Sequence, residues 1–336
     1  MKPLVQAALI NHRFGDPGLY LDFLFQKRAI LFDLGDLAAL APRKLLRVSH
    51  AFVSHTHMDH FAGFDQLLRT VLGRGARLQL FGPVGFIERV AHKLGSYSWN
   101  LVANFPESLT FEVAEYDGTG MLKRAVFDCR AGFACQDLEP GAAPGGVLFE
   151  DDACRVRAAV LDHGIPCLGL ALEEKWHINV LKARLEEMGL PVGPWLRAAK
   201  AAVLADAPDE TSIRAFWRDG TKTCERILPL GELREAVLRV VPGQKVAYVT
   251  DVRFHEENVR RIAELAAGAD HLFIETPFLD ADAPIAARKN HLTAAQAGRI
   301  ARRAGAKAIV PFHFSPRYGG MEEHLIAEAK AAFLAA

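Results

Sequence analysis

The chain has 336 residues, half of them hydrophobic, with 40 Lys and Arg against 40 Asp and Glu. A chain of this size buries a sizeable core, as one large layered domain or about two smaller ones, and its charge balance leaves no overall positive field for nucleic acid, so a polyanion has to be held by a local patch. No run approaches the ~18 uninterrupted apolar residues of a membrane span, and the apolar stretch Leu4 to Ile10 leads straight into Asn11-His12-Arg13, so neither a membrane segment nor a cleaved signal peptide is expected and a cytoplasmic location is.

The opening third reads as strands. Leu19 to Phe25 and Ala29 to Leu34 flank the polar Gln26-Lys27-Arg28, which predicts a hairpin whose second strand ends in the carboxylates Asp33 and Asp36. Ala51 to Ser54 supplies another short strand, Phe64 to Arg69 has helical spacing, and Arg77 to Phe81 is followed by a Gly82-Pro83 breaker and a helix near Val84 to Leu94. Strands dominate from about Leu109 to Leu172, with Glu139 to Gly146 expected as a loop rich in Gly and Pro. Between about Glu173 and Leu230 the texture changes to amphipathic, Ala- and charge-rich segments broken at Gly189 to Pro194, which reads as an inserted helical arm or lid, 173–230, within a single domain 1–336. Strand-helix alternation then returns: Lys245 to Thr250, Glu256 to Ala267, His271 to Glu275, Thr293 to Ala304, Lys307 to Phe312 and a last helix after Gly320. This order implies layered α/β packing.

The segment Ser54-His55-Thr56-His57-Met58-Asp59-His60 places three imidazoles and one carboxylate within six residues at a strand-to-helix junction. His55 and His57 can face the same way and share one metal ion, leaving Asp59 and His60 to turn towards another. Imidazole and carboxylate suit zinc and other borderline first-row metals. The five cysteines contain no Cys-x-x-Cys pair and read as small buried residues rather than a disulfide framework or a thiolate site.

Three further candidates stand singly just past β-like runs: His163, Asp251 and His313. Alone, each is more simply a hydrogen-bonded structural residue; together they complete a pattern. His55, His57 and His163 make one set of three, Asp59, His60 and His313 a second, and Asp251 is left to bridge. Three protein ligands and a bridging carboxylate leave each metal a position for a shared water, as a catalytic site requires. Two ions ~3.5–4 Å apart can lower that water's pKa and stabilise an oxyanion or phosphoryl oxygen, which describes a hydrolase. Two Zn2+ are expected; Mn2+ or Fe2+ also tolerate these ligands.

The His-x-His-x-Asp-His motif, with the later His, Asp and His in this order, resembles the metallo-β-lactamase superfamily. Ile274 to Asp280, His291 to Ala297 and Pro311 to Tyr318 narrow the resemblance to ribonuclease Z, the endonuclease that trims transfer-RNA 3′ ends. The resemblance implies a four-layer αββα sandwich with the dinuclear site at one edge of the inner sheets. It also implies that His291 contacts the scissile phosphate and assists the leaving oxygen; Glu275 matches the acid before that loop and either orients His291 or is a buried structural partner, and Asp59 is a candidate base besides a ligand. A proton donor is what an alkoxide leaving group needs, and imidazole serves near neutral pH.

Three departures bear on substrate. The stretch Ala8 to Gly18 lacks the family's Gly-rich loop, although Arg13 remains a candidate phosphate contact. The arm has the family's Met188 to Trp195 segment but nine Lys/Arg against nine Asp/Glu over 173–230, whereas a phosphate grip wants excess positive charge, so a lid or homodimer contact is the alternative. Leu292 replaces the usual Ser. Remaining histidines, His255 foremost, read as surface or hydrogen-bonded residues, and Trp176, Trp195 and Trp217 as packed against the arm rather than stacked on bases. The leading expectation is therefore a zinc-dependent phosphodiesterase acting on a transfer-RNA precursor; the second is a hydrolase of a small ester, lactone or cyclic phosphodiester; the third is a metal-binding scaffold without turnover.

Overall fold

A computed structural model describes residues 3–24, 26–175, 177–220 and 222–335. The chain divides into two compact units, Leu4–Glu173 with Gln244–Ala336, and Met1–Pro3 with Glu174–Gly243.

The larger unit contains two sheets. The first has eight strands in chain order, Val5–Leu9, Leu19–Phe23, Ala29–Phe32, Val48–Phe52, Arg77–Pro83, Thr110–Tyr116, Met121–Asp128 and Cys135–Ala142. Its four middle strands, from Ala29–Phe32 to Thr110–Tyr116, are parallel and its flanks antiparallel. The second has six strands, in the order Ile309–Phe312, His271–Glu275, Lys245–Val249, Pro166–Glu174, Cys154–Asp162 and Val147–Glu150, the first three parallel.

Side chains alternate between the two faces of each strand, and the sequence sorts them into three cores. Ile30 and Phe32 point into the layer between the sheets, where they meet Tyr248 and Phe273, while Ala29 and Leu31 face the helices Phe64–Val71 and Phe86–Gly95. On the other sheet Val246 and Tyr248 face inward, and Ala247 and Val249 face Glu256–Leu265 and Ala294–Arg303. Helix, sheet, sheet, helix is the four-layer order that the resemblance to the metallo-β-lactamase superfamily implied.

Two elements differ from the reading of the sequence. The Gly- and Pro-rich Glu139 to Ala142 is strand rather than loop: it is the end of Cys135–Ala142, the edge of the first sheet, where Pro140 has no second neighbour needing its missing N–H. The insertion extends past 230 to Gly243, because Leu230, Leu233, Val237 and Leu238 belong to its own core around Trp195. It holds helices Lys182–Glu187, Trp195–Leu204 and Leu230–Ala236 together with two two-stranded sheets. In the hairpin Ser212–Asp219 with Lys222–Pro229, Ile213 and Ala215 are buried while Arg214 and Phe216 are exposed, a period of two that the surrounding charge concealed. Trp195 is buried and Trp217 packs against this core; Trp176 and the side chain of His177 lie outside the described residues.

Candidate active site

The candidate residues converge from the ends of six strands, the position where parallel α/β sheets open their ligand crevices. Asp33 follows Ala29–Phe32, His55 to His60 follow Val48–Phe52, His163 follows Cys154–Asp162, and Asp251 follows Lys245–Val249; Glu275 ends its strand and His313 follows Ile309–Phe312. The short helix Met58–Phe61 is seated against the turn after Asp33 by hydrogen bonds from Leu34 N–H to the His60 carbonyl and from Gly63 N–H to the Leu34 carbonyl, both 2.8 Å. Glycine is required there: a Cβ on Gly63 would lie 2.1 Å from the Gly35 carbonyl oxygen, and one on Gly35 would lie 2.5 Å from that of Asp59.

Three groups of ligand atoms result, each within 4.8 Å: His55, His57, His163 and Asp251; Asp59, His60 and His313; and Asp251, Glu275, His291 and His313. Asp251 belongs to two of them. Its Oδ2 lies 3.5 Å from His55 Nε2 and 3.3 Å from His163 Nε2, and its Oδ1 lies 3.6 Å from His60 Nε2 and 2.9 Å from His313 Nδ1. Asp59 Oδ2 is 3.4 Å from both His60 Nε2 and His313 Nε2. His55, His60, His163 and Asp251 are buried, His57 is exposed, and Asp59 and His313 are intermediate.

The chemistry of this donor set fits metal ions. Buried His55 Nε2 and His60 Nε2 have no hydrogen-bond partner among the described residues, and an unsatisfied buried nitrogen costs of order 1–3 kcal/mol. The outer nitrogens are instead engaged: His60 Nδ1 donates to Asp33 Oδ2 at 2.8 Å, and His163 Nδ1 to the Asn290 carbonyl at 2.9 Å. A ligating histidine is commonly fixed this way, its second nitrogen tied to a carboxylate or carbonyl. Burial drives His55 down to about 2 and lowers His57, so both hold the neutral form that binds metal. For His60 and His313 burial acts in the same direction, but the carboxylates of Asp251, Asp33 and Asp59 outweigh it and raise both. That excess of carboxylate is what a cation would neutralise in place of a proton.

His291 sits beside this cluster, its ring centroid 5.1 Å from that of His163 and 5.7 Å from that of His313. Its Nδ1 donates to Glu275 Oε2 at 2.8 Å, and the other oxygen of this fully buried carboxylate accepts from the N–H groups of Val252 and Leu292 at 3.0 and 3.1 Å. Burial pushes Glu275 up, but the charge and hydrogen bond of His291 outweigh it and hold the acid at about 2. Reciprocally, burial lowers His291 less than Glu275 and Asp251 raise it.

Other candidates fall elsewhere. Arg13 donates to the Pro311 carbonyl at 3.0 Å and pairs with Glu322 at 2.6 Å, which commits it to the last helix rather than to a phosphate. Leu292 is wholly buried in the helix-side core, so the absent hydroxyl does not face the leaving group. His255 caps the helix Glu256–Leu265, accepting from Asn258 N–H at 3.3 Å, and lies 3.4 Å from Asp162; it is no ligand. Asp33, Asn290 and Tyr248 were not singled out as site residues. A carboxylate at a strand end was the signal for Asp33, whereas nothing local marks the other two.

A paired sandwich with histidines and aspartates at its strand ends defines a metallo-β-lactamase fold. A model of the beta-lactamase superfamily domain matches residues 234–314. The chain is 34% identical to Ribonuclease Z of Deinococcus radiodurans, over 99% of this chain and 97% of the relative, and 33% identical to Ribonuclease Z of Thermobifida fusca, over 90% and 80%. It belongs to the ribonuclease Z family. Among solved structures, the short form of human tRNase Z shares the fold at TM-score 0.51 and 18% identity, over 94% of this chain and 92% of that one. A metallo-beta-lactamase fold protein of Bacillus subtilis does so at TM-score 0.55 and 14% identity, over 99% and 94%.

Proposed function

We propose that this protein is an endoribonuclease that hydrolyses a phosphodiester bond of a transfer-RNA precursor. The His291–Glu275 pair beside the His/Asp clusters carries this reading, because an alkoxide leaving group needs a proton where an activated ester does not. His55, His57 and His163 would hold one Zn2+, Asp59, His60 and His313 another, with Asp251 between them. Such ions lower the pKa of water and stabilise negative charge on phosphoryl oxygens.

The chain's own groups do the rest. With Nδ1 engaged by Glu275, His291 has Nε2 to give its proton to the leaving oxygen as the P–O bond breaks. Asp59, whose Oδ2 lies 3.4 Å from both His60 Nε2 and His313 Nε2 at the edge of the cluster, is the acceptor for the proton of the attacking water. The arm, neutral in total, segregates its charge: Lys182, Arg197 and Lys200 line one cavity of about 410 Å3 and have no carboxylate partner among the described residues. An unpaired basic trio favours RNA over a small ester or lactone.

Zinc- or manganese-loaded protein is expected to cleave a transfer-RNA precursor and to lose that activity on chelation. His291→Ala is expected to cost roughly 10²–10⁴ in kcat with metal content unchanged. Turnover of a small ester or lactone by metal-loaded protein that leaves the precursor intact would sink the reading, and no turnover of any substrate would point to a scaffold.

A further inference from the structure

Three loops that carry different parts of the site meet at Asn290, outside the cluster of candidate ligands. Its backbone carbonyl accepts from His163 Nδ1 at 2.9 Å, its side-chain Nδ2 donates to the His163 carbonyl at 3.1 Å, and its Oδ1 accepts from Arg253 Nε at 2.7 Å. Arg253 is itself anchored to the His163 loop, through its N–H to the Asp162 carbonyl at 2.9 Å and through its guanidinium, 3.4 Å from the Asp162 carboxylate. The fit is close at Gly164, where φ is 84° and a Cβ would lie 2.9 Å from Asn290 Nδ2 and 3.3 Å from an Arg253 nitrogen, so a side chain there would push the clamp aside.

Asn290 has φ of 61°, a left-handed conformation that Asn adopts at less cost than most residues. From that position, one residue before His291, Asn290 turns both its carbonyl and its amide to the same neighbour, His163. The clamp is thus the outer of two ties between the loops. Glu275 makes the inner one, accepting from Val252 and Leu292 N–H groups and from His291 itself.

We propose, resting on the reading of His291 as proton donor, that Asn290 with Arg253 is a positioning device that sets His291 relative to the candidate metal ligand His163. Neither residue touches a reacting atom. A proton passes efficiently to a leaving oxygen only from a donor held within hydrogen-bond reach, and small misplacement at a reacting centre can cost as much as ~100-fold. Removing the Asn290 amide frees the His291 loop, while the backbone carbonyl that fixes His163 remains.

The test exploits leaving groups. Cleavage of RNA expels an alkoxide that needs a proton, whereas bis(p-nitrophenyl) phosphate expels a phenolate that leaves without one. Asn290→Gly keeps the left-handed backbone and the carbonyl and deletes only the amide. It is expected to lower kcat on a transfer-RNA precursor ~10–100-fold, with KM within about threefold, and to lower kcat on bis(p-nitrophenyl) phosphate at least tenfold less. Metal content, measured by atomic emission, should stay at the parent value. Arg253→Gln, which breaks the other arm of the clamp, should show the same split and serves if the first variant does not fold. Equal losses on both substrates, no loss on RNA, or departure of metal overturns the proposal. His291→Ala run alongside keeps the two readings apart: if it shows no split between the substrates, His291 is not the proton donor, whereas a split in His291→Ala without one in the clamp variants leaves the donor standing and removes Asn290.

Discussion

Asp33 accepts four hydrogen bonds, from Ser54 N–H and hydroxyl, His60 Nδ1 and the Tyr248 hydroxyl, at 2.6 to 2.9 Å, and is completely buried. Both of its oxygens are satisfied without water because every donor around them is aimed inward. Tyr248 comes from the second sheet, so one phenol ties the two sheets together beside His60. Backbone strain gathers at the same place: among the described residues six other than glycine have positive φ, and four of these are Asp33, Asp251, Asn290 and His313. Such conformations cost of order 1–3 kcal/mol each and persist where surrounding packing fixes them.

A different buried histidine gives a prediction away from the cluster. His50, 9% exposed, lies with its ring 4.1 Å from that of Phe149, and burial lowers its pKa to about 4. Its folded value lies below the unfolded one, so the unfolded chain binds the extra proton between pH 6.5 and about 4. Stability should therefore fall as pH drops through that window, by up to about 3 kcal/mol from this group alone. Denaturant unfolding of the parent and of His50→Gln should show a shallower acid loss in the variant; identical slopes would mean that His50 does not titrate this way.

At the scale of elements, the arm separates structure from recognition. Its hairpin and helices are held by Trp195, Leu230 and Leu233 in a core of their own, and several of its charges are paired within it, as Arg214 with Glu225 and Arg234 with Asp209. Lys182, Arg197 and Lys200 are left over along one cavity, and partial burial lowers the pKa of Lys200. If they contact phosphates, changing all three to Ala should raise KM for a transfer-RNA precursor. It should also flatten the dependence of log affinity on log salt by about three, given a slope of ~0.9 per phosphate contact. An unchanged salt slope in filter binding would assign the arm to something other than RNA.

For the whole molecule, the site joins the two sheets, with His55 to His60 from the first and His163, Asp251 and His313 from the second. Whatever occupies it crosslinks both halves of the sandwich. Chelation should therefore lower the melting temperature, with about 4 kcal/mol at stake when free metal stands at a thousandfold its dissociation constant. An identical melting temperature for protein incubated with excess zinc and for the same protein stripped by chelator would argue that the clusters are not metal sites.

The sequence by itself determined the periodic part of this protein. Unbroken apolar runs in Ala29 to Phe32 and Val246 to Val249 marked strands because a strand packed on both faces needs apolar residues at every position, and the spacing of His55, His57, Asp59 and His60 was legible because those groups are neighbours in the chain. Strand ends likewise betrayed His163, Asp251 and His313. Only the tertiary structure decided what depends on distant contacts. Pro140 sits in a strand because that strand is an edge; Leu292 is core because a helix covers it; Arg13 is spent on Glu322, 309 residues away. Asp33, Tyr248 and Asn290 work through hydrogen bonds to residues 21 to 215 positions away, so no local pattern of apolar and polar residues could record them.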